Sequence, residues 1–237
     1  MSNASAEPTI AENLDEVRAR IAAACARAGR APAAVRLLAV SKNKPIALVR
    51  EALAAGQALF GENYVQELVE KASLIPHAEW HFIGSLQTNK VKQVVGRAKL
   101  IHSVDREKLV RELAKAAAGL GVVQDVLLQV HVGGEVTKSG VTTAQVPVLL
   151  EAIRASKSLR LRGLMALPPL SDSESIARGY FAEVRSAFDR WRSAMPANEA
   201  AAFSELSLGT SSDYEWAILE GATLVRVGTA IFGAREA

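Results

Sequence analysis

The alternation of short apolar runs with helical patterns is the feature of this sequence that most restricts its fold. Eight apolar runs recur along the 237 residues, and each is followed by a helical pattern or a short turn of one. They lie at residues 35–40, 58–60, 80–83, 100–104, 125–132, 161–165, 206–208 and 224–227. Short apolar strands of this kind are typical of parallel sheets covered on both faces. Eight uninterrupted strand–helix units favour an α/β fold, a closed (β/α)8 barrel of the TIM type, over an open sheet.

An amphipathic helix is predicted ahead of the barrel, over residues 9–28. Thr9 and Glu12 have the spacing of a capping box. One helical face carries a stripe of apolar side chains: Ile10, Leu14, Val17 and Ile21. We predict that residues 5–237 form a single domain, and we exclude residues 1–4 as the remnant of an expression tag.

Two later helices have predicted limits. Asp105 is expected to cap a helix that runs through Leu120, and the longest helix is expected between Ser171 and Met195. Pro196 follows that helix and is expected to end it, because proline cannot continue a helical hydrogen-bond series.

The composition describes a globular protein and excludes several functional classes. Hydrophobic residues make up 49% and charged residues 22%, which argues against a disordered chain. The net charge of +3 is too small to indicate nucleic-acid binding without a clustered basic patch. The only cysteine, Cys25, excludes an intrachain disulfide and a cysteine metal cluster. With no apolar run of membrane-spanning length and no signal peptide, we expect a cytoplasmic protein without membrane contact. No obvious exposed apolar stripe requires a partner, so we expect a monomer.

Lys42 is the first candidate binding residue, because ligands of such barrels bind at the C-terminal ends of the strands. It directly follows the first apolar strand, where partial desolvation would lower the pKa of its amine and favour attack on an aldehyde. The alternative is a strand-end lysine that extends to solvent, and the neighbouring Lys44 keeps that alternative open. The segment Ala39-Val40-Ser41-Lys42 contains no glycine, which argues against a dinucleotide-binding fold.

The turns after the last two strands suit a phosphate group. Small and hydroxyl residues fill both, in Ser207–Asp213 and in Arg226–Thr229. Backbone N–H groups and hydroxyls at helix starts bind phosphate, and this fold often binds phosphate after strands seven and eight. Simple helix capping by Ser211, Ser212 or Thr229 is the alternative. Together, the lysine and the turns indicate a ligand with an aldehyde at one end and a phosphate at the other.

Several sequence blocks resemble those of the pyridoxal phosphate homeostasis protein family. They are Ala39–Lys42, Phe60–Glu67, Trp80–Gly84, Gly163–Met165, Leu206–Gly209 and Val225–Gly233. The resemblance runs from about residue 10 to residue 235. It implies a fold similar to the N-terminal barrel domain of alanine racemase.

The resemblance also implies roles for individual residues. Lys42 would hold pyridoxal 5'-phosphate (PLP) as a Schiff base, and Arg226 would face the pyridine nitrogen. Asn63 and Met165 would line the cofactor, and His81 would lie deeper in the barrel. The residues that would hold the phosphate are Ser207, Ser211, Gly228 and Thr229. The chain departs from the family pattern at Asn43, Thr210 and Ser212, where a hydroxyl residue, Met and an acidic or amide residue are more common.

The predicted function is PLP storage rather than catalysis, so no catalytic residue is assigned. Arg226 cannot accept a proton, so a pyridine nitrogen facing it stays unprotonated and withdraws electrons poorly. Racemases tolerate an arginine at this place, so Arg226 alone leaves catalysis open. Racemases of this fold add a C-terminal domain with an opposing tyrosine, and the sequence ends shortly after its eighth strand. Tyr64 and Tyr214 are expected to pack within the barrel unit, with an approach to the site as the alternative. We therefore expect a protein that buffers PLP inside the cell and delivers it to apo-enzymes.

Other functions remain as alternatives at the level of sequence. They are a single-domain PLP-dependent racemase, an aldolase that captures a sugar phosphate on lysine, and an interaction protein with a vestigial pocket. Lys138 is expected to be a solvated loop lysine, with transient PLP binding as its alternative. The four histidines lack metal-ligand spacing, so no metal site is predicted.

Overall fold

The strands form the closed barrel that their alternation with helices predicts. In the computed structural model, residues 8–133, 140–142 and 144–234 are described. These residues form eight strands, β1 to β8: Arg36–Val40, Leu59–Glu62, Glu79–Phe82, Leu100–Val104, Gln124–Val130, Leu159–Ala166, Glu205–Ser207 and Leu224–Val227. Neighbouring strands pair in parallel and in chain order, and β8 pairs with β1 to close the sheet. The predicted TIM-type fold is confirmed.

Helices cover the outside of the barrel. The described part of the chain holds ten α-helices, α1 to α10: Ile10–Arg27, Ile46–Ala54, Val65–Leu74, Val91–Val94, Glu107–Leu120, Val146–Arg154, Glu174–Ser193, Ala197–Ala202, Tyr214–Leu219 and Thr229–Phe232. The last two are short and directly follow the turns after β7 and β8. These turns lie at the mouth where all strands end, which we call the C-terminal mouth.

Two apolar clusters stabilise the barrel. The larger one joins the outward faces of the strands to the helices, with Phe60, Phe181 and Tyr214 among its largest buried side chains. The smaller one comes only from the strands and the ends next to them, so it lies inside the barrel: Leu38, Leu59, Ile83, Leu100, Leu127, Met165 and Leu224. This arrangement follows from the two-residue alternation of strand side chains between the two faces of a sheet.

The N-terminal helix α1 begins as the sequence predicts. Thr9 is its N-cap, and both hydrogen bonds of the capping box with Glu12 are present. The helix packs on α9 and α10. Asn13 Nδ2 donates to the carbonyl of Ile231 at 3.0 Å. Helix α1 therefore supports the two short helices that follow the turns at the C-terminal mouth.

One helix-cap prediction is wrong. The N-cap of α5 is Arg106, and no side chain caps this helix. The Asp105 carboxylate instead binds the guanidinium of Arg106, which also donates to the carbonyl of Leu86 at 2.7 Å. A charged partner one residue away thus competes with the backbone N–H groups for the aspartate.

The predictions for Lys138, for residues 1–4 and for the longest helix have different outcomes. Lys138 and residues 1–4 lie outside the described residues, so their predicted roles stay predictions. Helix α7 is shorter than predicted, because its first turn begins only at Glu174 and its last residue is Ser193. Among the helices that the structure describes, each is too short or too polar to cross a bilayer.

Candidate functional site

Lys42 lies two residues beyond β1, at the C-terminal mouth. Its side chain is half-buried. Strand β1 pairs with both β2 and β8. The turn after β8 passes so close to β1 that a Cβ atom at Gly228 would lie 3.2 Å from the carbonyl oxygen of Val40. The structure therefore brings Lys42 and the turn at Gly228 to the same mouth.

A buried ionic network fixes the residue before Lys42. Ser41 is fully buried, and its hydroxyl donates to Glu62 Oε1 at 2.6 Å. The buried ammonium of Lys71 donates to the same oxygen at 2.8 Å and to the Ser41 carbonyl at 2.7 Å. Burial raises the pKa of Glu62, and the Lys71 charge acts against that rise. The sequence analysis assigned no role to Glu62 or Lys71.

The residue after Lys42 is fixed by the same network. Asn43 has a φ of +56°, a backbone conformation that residues other than glycine seldom adopt. Its N–H donates to Glu67 Oε2 at 2.9 Å, and Lys71 Nζ donates to the same oxygen at 2.7 Å. Asparagine tolerates this conformation better than most residues. Lys42 is therefore held between two anchored neighbours.

Arg226 forms the floor of the mouth. It is 4% exposed, its Nη1 donates to the Ser207 carbonyl at 2.8 Å and to Ser207 Oγ at 2.6 Å, and its Nη2 donates to the Ala166 carbonyl at 2.9 Å. All its described hydrogen bonds use Nη1 and Nη2. Burial lowers the pKa of Arg226 to about 10, so the side chain stays protonated at neutral pH. It is a buried cation held by hydrogen bonds to Ser207 and Ala166.

The turn after β7 is organised by Asp213. Gly209 has a φ of +83°, and a Cβ there would lie 2.6 Å from the Tyr214 Cα, so only glycine fits. The N–H and the hydroxyl of Thr210 both donate to Asp213 Oδ1, at 2.6 and 3.0 Å. Ser212 Oγ lies 3.4 Å from Thr210 Oγ1. Thr210 thus stabilises the turn.

The two turns at the C-terminal mouth contact each other. The N–H of Gly228 donates to Ser211 Oγ at 3.1 Å, and Thr229 begins α10 directly afterwards. Ser207 is not part of this contact. It is fully buried one layer below, where its hydroxyl contacts Arg226 and His102. The structure therefore groups Ser211, Gly228 and Thr229, and separates Ser207 from them.

Asn63 and Met165 also lie near the strand ends. Asn63 follows β2, and its Oδ1 is buried without a hydrogen-bond partner among the described residues. A Cβ at Gly84 would lie 2.0 Å from the Asn63 carbonyl oxygen, so this close approach requires glycine. Met165 is 1% exposed and belongs to the interior cluster, level with Ser207 on the next strand.

Two buried histidines below Ser207 complete the interior. His102 Nδ1 lies 3.1 Å from Ser207 Oγ, and His102 Nε2 lies 3.0 Å from His81 Nδ1. The expectation that His81 lies deep in the barrel is confirmed. The sequence analysis gave His102 no special role, although it follows the interior residue Leu100 by two positions, which places both side chains on one face.

The tyrosines behave differently from each other. Tyr214 is 1% exposed and packs as expected, and burial raises the pKa of its phenol. The expectation that Tyr64 packs is wrong, because it is 50% exposed. It is the N-cap of α3.

Comparisons with known proteins agree on one family. The family described as alanine racemase, N-terminal domain, matches residues 13–236. A pyridoxal phosphate homeostasis protein of Pseudomonas aeruginosa is 46% identical over 231 residues, which cover 96% of each chain. The structure of PipY of Synechococcus elongatus with PLP bound is 36% identical with a TM-score of 0.81, covering 95% of this chain and all of PipY.

Alanine racemase of Corynebacterium glutamicum shares the fold alone. It is 16% identical, and the superposition covers 94% of this chain and 62% of the racemase with a TM-score of 0.68.

Proposed function

Since this chain belongs to the alanine racemase N-terminal domain family and to its pyridoxal phosphate homeostasis proteins, we propose that it binds PLP reversibly and catalyses no reaction on it. PipY, a relative of nearly equal length, has been seen with PLP bound. We further propose that the protein acts as a monomer and passes PLP to apo-enzymes. PLP carries an aldehyde that bonds to a primary amine, a phosphate, and a ring nitrogen that accepts a hydrogen bond.

The residues at the C-terminal mouth fit these three groups. Lys42 offers the primary amine, and Ser211, Gly228 and Thr229 offer hydroxyl and N–H donors to the phosphate. The absence of a side chain at Gly228 lets this turn approach the Val40 carbonyl, two residues before Lys42. The unpartnered Oδ1 of Asn63 leaves a buried acceptor for a polar group of the ligand.

Arg226 carries the proposal that the protein holds PLP without turning it over. Its guanidinium is buried, charged and fixed at Nη1 and Nη2, while no described hydrogen bond uses its Nε–H. An N–H donor that cannot accept a proton matches an unprotonated ring nitrogen. Such a ring is a weak electron sink, which disfavours carbanion chemistry. We assign the Ser207 hydroxyl to the support of Arg226, and its predicted role toward the phosphate stays a prediction.

The location of the adduct tests the assignment of Lys42. The purified protein is incubated with PLP, reduced with borohydride, digested, and analysed by peptide mass spectrometry. We expect the reduced adduct on Lys42 and the loss of high-affinity PLP uptake in Lys42→Ala. Unchanged affinity and visible absorbance in Lys42→Ala would refute this role.

Lys44 provides a matched control two residues away. Its Nζ donates to the carbonyls of Phe232 and Ala234, at 2.9 and 2.8 Å, so its amine is engaged by the C-terminal backbone. Lys44→Met is expected to take up PLP on Lys42 as the unsubstituted protein does. A loss of binding as large as that of Lys42→Ala would point to a general disturbance of this loop.

The racemase alternative is separated by isotope exchange. The protein loaded with PLP is incubated in D2O with alanine or serine, and the α-proton is followed by NMR. We expect no exchange beyond that caused by free PLP. Exchange far above the free cofactor would establish an enzyme.

A further inference from the structure

A continuous chain of polar side chains runs below Arg226. Arg226 Nη1 donates to Ser207 Oγ at 2.6 Å, and Ser207 Oγ lies 3.1 Å from His102 Nδ1. His102 Nε2 lies 3.0 Å from His81 Nδ1, and His81 Nε2 lies 2.9 Å from Glu79 Oε1. Each imidazole therefore uses both of its nitrogens within this chain.

This series of hydrogen-bonded side chains crosses the barrel from one mouth to the other. Arg226 lies near the C-terminal end of β8, whereas Glu79 is the first residue of β3. The side chain of Glu79 is 39% exposed and pairs with Arg36, the first residue of β1. Ser207 and both histidines between the ends are at most 1% exposed. A solvent-accessible carboxylate is thus connected to the floor of the proposed PLP site through buried groups.

The two ends fix the order of protons in between. Glu79 is an acceptor, so His81 must donate from Nε2 and, when neutral, accept at Nδ1. His102 must then donate from Nε2 and accept at Nδ1. At the other end, Arg226 can only donate, so it occupies a lone pair of Ser207 Oγ and directs the hydroxyl proton toward His102 Nδ1. Both ends demand the same order, in which every donor along the chain points toward Glu79.

The surroundings keep both imidazoles neutral. Burial lowers the pKa of His81 and lowers that of His102 well below its usual value. The charged side chains that face the two rings come from four strands: Arg36 of β1, Glu79 of β3, Glu205 of β7 and Arg226 of β8. The two arginines add to the effect of burial at His102, while the two carboxylates oppose it at His81.

We propose that Glu79, His81, His102 and Ser207 are positioning residues whose fixed proton order holds Arg226 in place for the ring nitrogen of PLP. This inference rests on the proposed function, because it assigns these four side chains a role toward PLP. His102 Nδ1 accepts a hydrogen bond from the Ser207 hydroxyl, so a lone pair of Ser207 Oγ stays available to accept from Arg226. A proton added at His81 Nδ1 would reverse the two hydrogen bonds of His102, with His81 and with Ser207, and would leave the Ser207 hydroxyl proton without its acceptor. The bonds at the two ends, to Glu79 and from Arg226, would keep their direction.

The proton order can be measured without PLP. In ligand-free protein with ¹⁵N-labelled histidine, long-range proton–nitrogen NMR spectra distinguish the two neutral tautomers. At pH 7.5 we expect His81 and His102 to carry their protons on Nε2. In Glu79→Gln, the amide can donate as well as accept, so we expect a second tautomer to appear. Nδ1–H tautomers in the unsubstituted protein would overturn the proposal.

Paired substitutions of His102 test the effect on ligand binding. The amide of Asn can place an acceptor near the position of Nδ1, whereas the amide of Gln reaches the position of Nε2. We expect His102→Gln to weaken PLP binding roughly tenfold, since the Ser207 hydroxyl proton then lacks its buried acceptor. We expect His102→Asn to stay within about threefold of the unsubstituted protein, because Ser207 keeps its acceptor.

The pair separates positioning from simple packing. Gln is closer in size to His, so a purely structural role predicts the greater loss for Asn, and that result, or equal losses, would overturn the proposal. Urea unfolding of both variants reports any general destabilisation. Failure of the unsubstituted protein to bind PLP would instead refute the proposed function, and the tautomers measured without ligand would still decide the proton order.

Discussion

At the scale of single residues, the site depends on charges whose positions are set by burial. Lys71 is 5% exposed, and its three described hydrogen bonds reach both sides of the Lys42 segment. Arg226 is equally enclosed, and its guanidinium is bound by the ends of two neighbouring strands. Buried charges are tolerated only when their partners satisfy them, so each of these residues depends on the others.

Replacing Lys71 tests this dependence. Lys71→Met leaves the Glu62 carboxylate buried without its cation, and breaking a buried ion pair costs about 3–5 kcal/mol. We expect the free energy of unfolding in urea to fall by that amount. PLP affinity should fall too, because Ser41 and Glu67 lose a shared anchor.

A double substitution is the matched control. Lys71→Met combined with Glu62→Gln removes both charges, so we expect it to regain a large part of the lost stability. Equal stability of the single variant and the unsubstituted protein would show that the pair contributes nothing.

At the scale of elements, short helices depend on a long one. Helices α9 and α10 have six and four residues, too few to be stable alone, and α1 with 18 residues packs across both. Arg20 of α1 binds Glu215 of α9, and Arg30 donates to the Ile218 carbonyl at 2.9 Å. The turns at the C-terminal mouth are therefore supported from outside the barrel.

The capping box of α1 gives a prediction at this scale. Thr9→Ala removes the side chain that caps the helix, which costs about 1 kcal/mol. Cys25 of α1 is completely buried, and burial raises the pKa of its thiol, so its reaction with a thiol reagent reports the undocking of α1. We expect the labelling rate to rise about fivefold.

A serine on another helix provides the control for labelling. Ser73 lies at the exposed end of α3, where its hydroxyl donates to the Glu70 carbonyl. Ser73→Ala removes a hydroxyl in the same way, and the labelling of Cys25 should stay unchanged. An unchanged rate in Thr9→Ala would mean that the cap does not hold α1 in place.

At the scale of the whole molecule, closure of the sheet creates a polar interior. Pairing of β8 with β1 brings together eight strand ends, and it places His81 and His102 in the centre without access to water. The same burial that orders the two rings also makes them costly to charge. The stability of the barrel should therefore depend on pH in a defined range.

The sign of this dependence follows from the lowered pKa of both histidines. The unfolded chain takes up protons on them near pH 6.5, whereas the folded barrel does so only at lower pH. The contribution of the two histidines to the free energy of unfolding is therefore fully present above about pH 6.5. It falls as the pH drops toward their pKa in the folded protein, by up to about 1.4 kcal/mol per pH unit for each histidine.

Urea unfolding between pH 7.5 and pH 5 measures this effect. His102→Gln is expected to reduce the slope of stability against pH, because one titrating group is removed. His77→Gln, which alters an exposed histidine, is the control and should keep the slope. Identical slopes in all three proteins would contradict the assignment of this pH dependence to His102.

The barrel, the position of Lys42 and the two turns at Ser211 and Gly228 could be predicted from the amino-acid sequence. These features depend on local properties, namely the two-residue alternation of strands, the helix signals that follow them, and the rule that parallel strands end at one mouth. The capping box at Thr9 is equally local, and it formed as predicted.

The contacts between polar side chains could not be predicted and are seen only in the folded molecule. Lys71 is buried against Glu62, Asp105 binds Arg106 rather than a helix end, and His102 meets Ser207 across 105 residues of sequence. Such contacts depend on strand register and on closure of the sheet, which no pattern within one segment specifies. The physical reason is that hydrophobic periodicity fixes the face of each side chain, whereas hydrogen-bond partners are fixed by which strands lie next to each other in the folded chain.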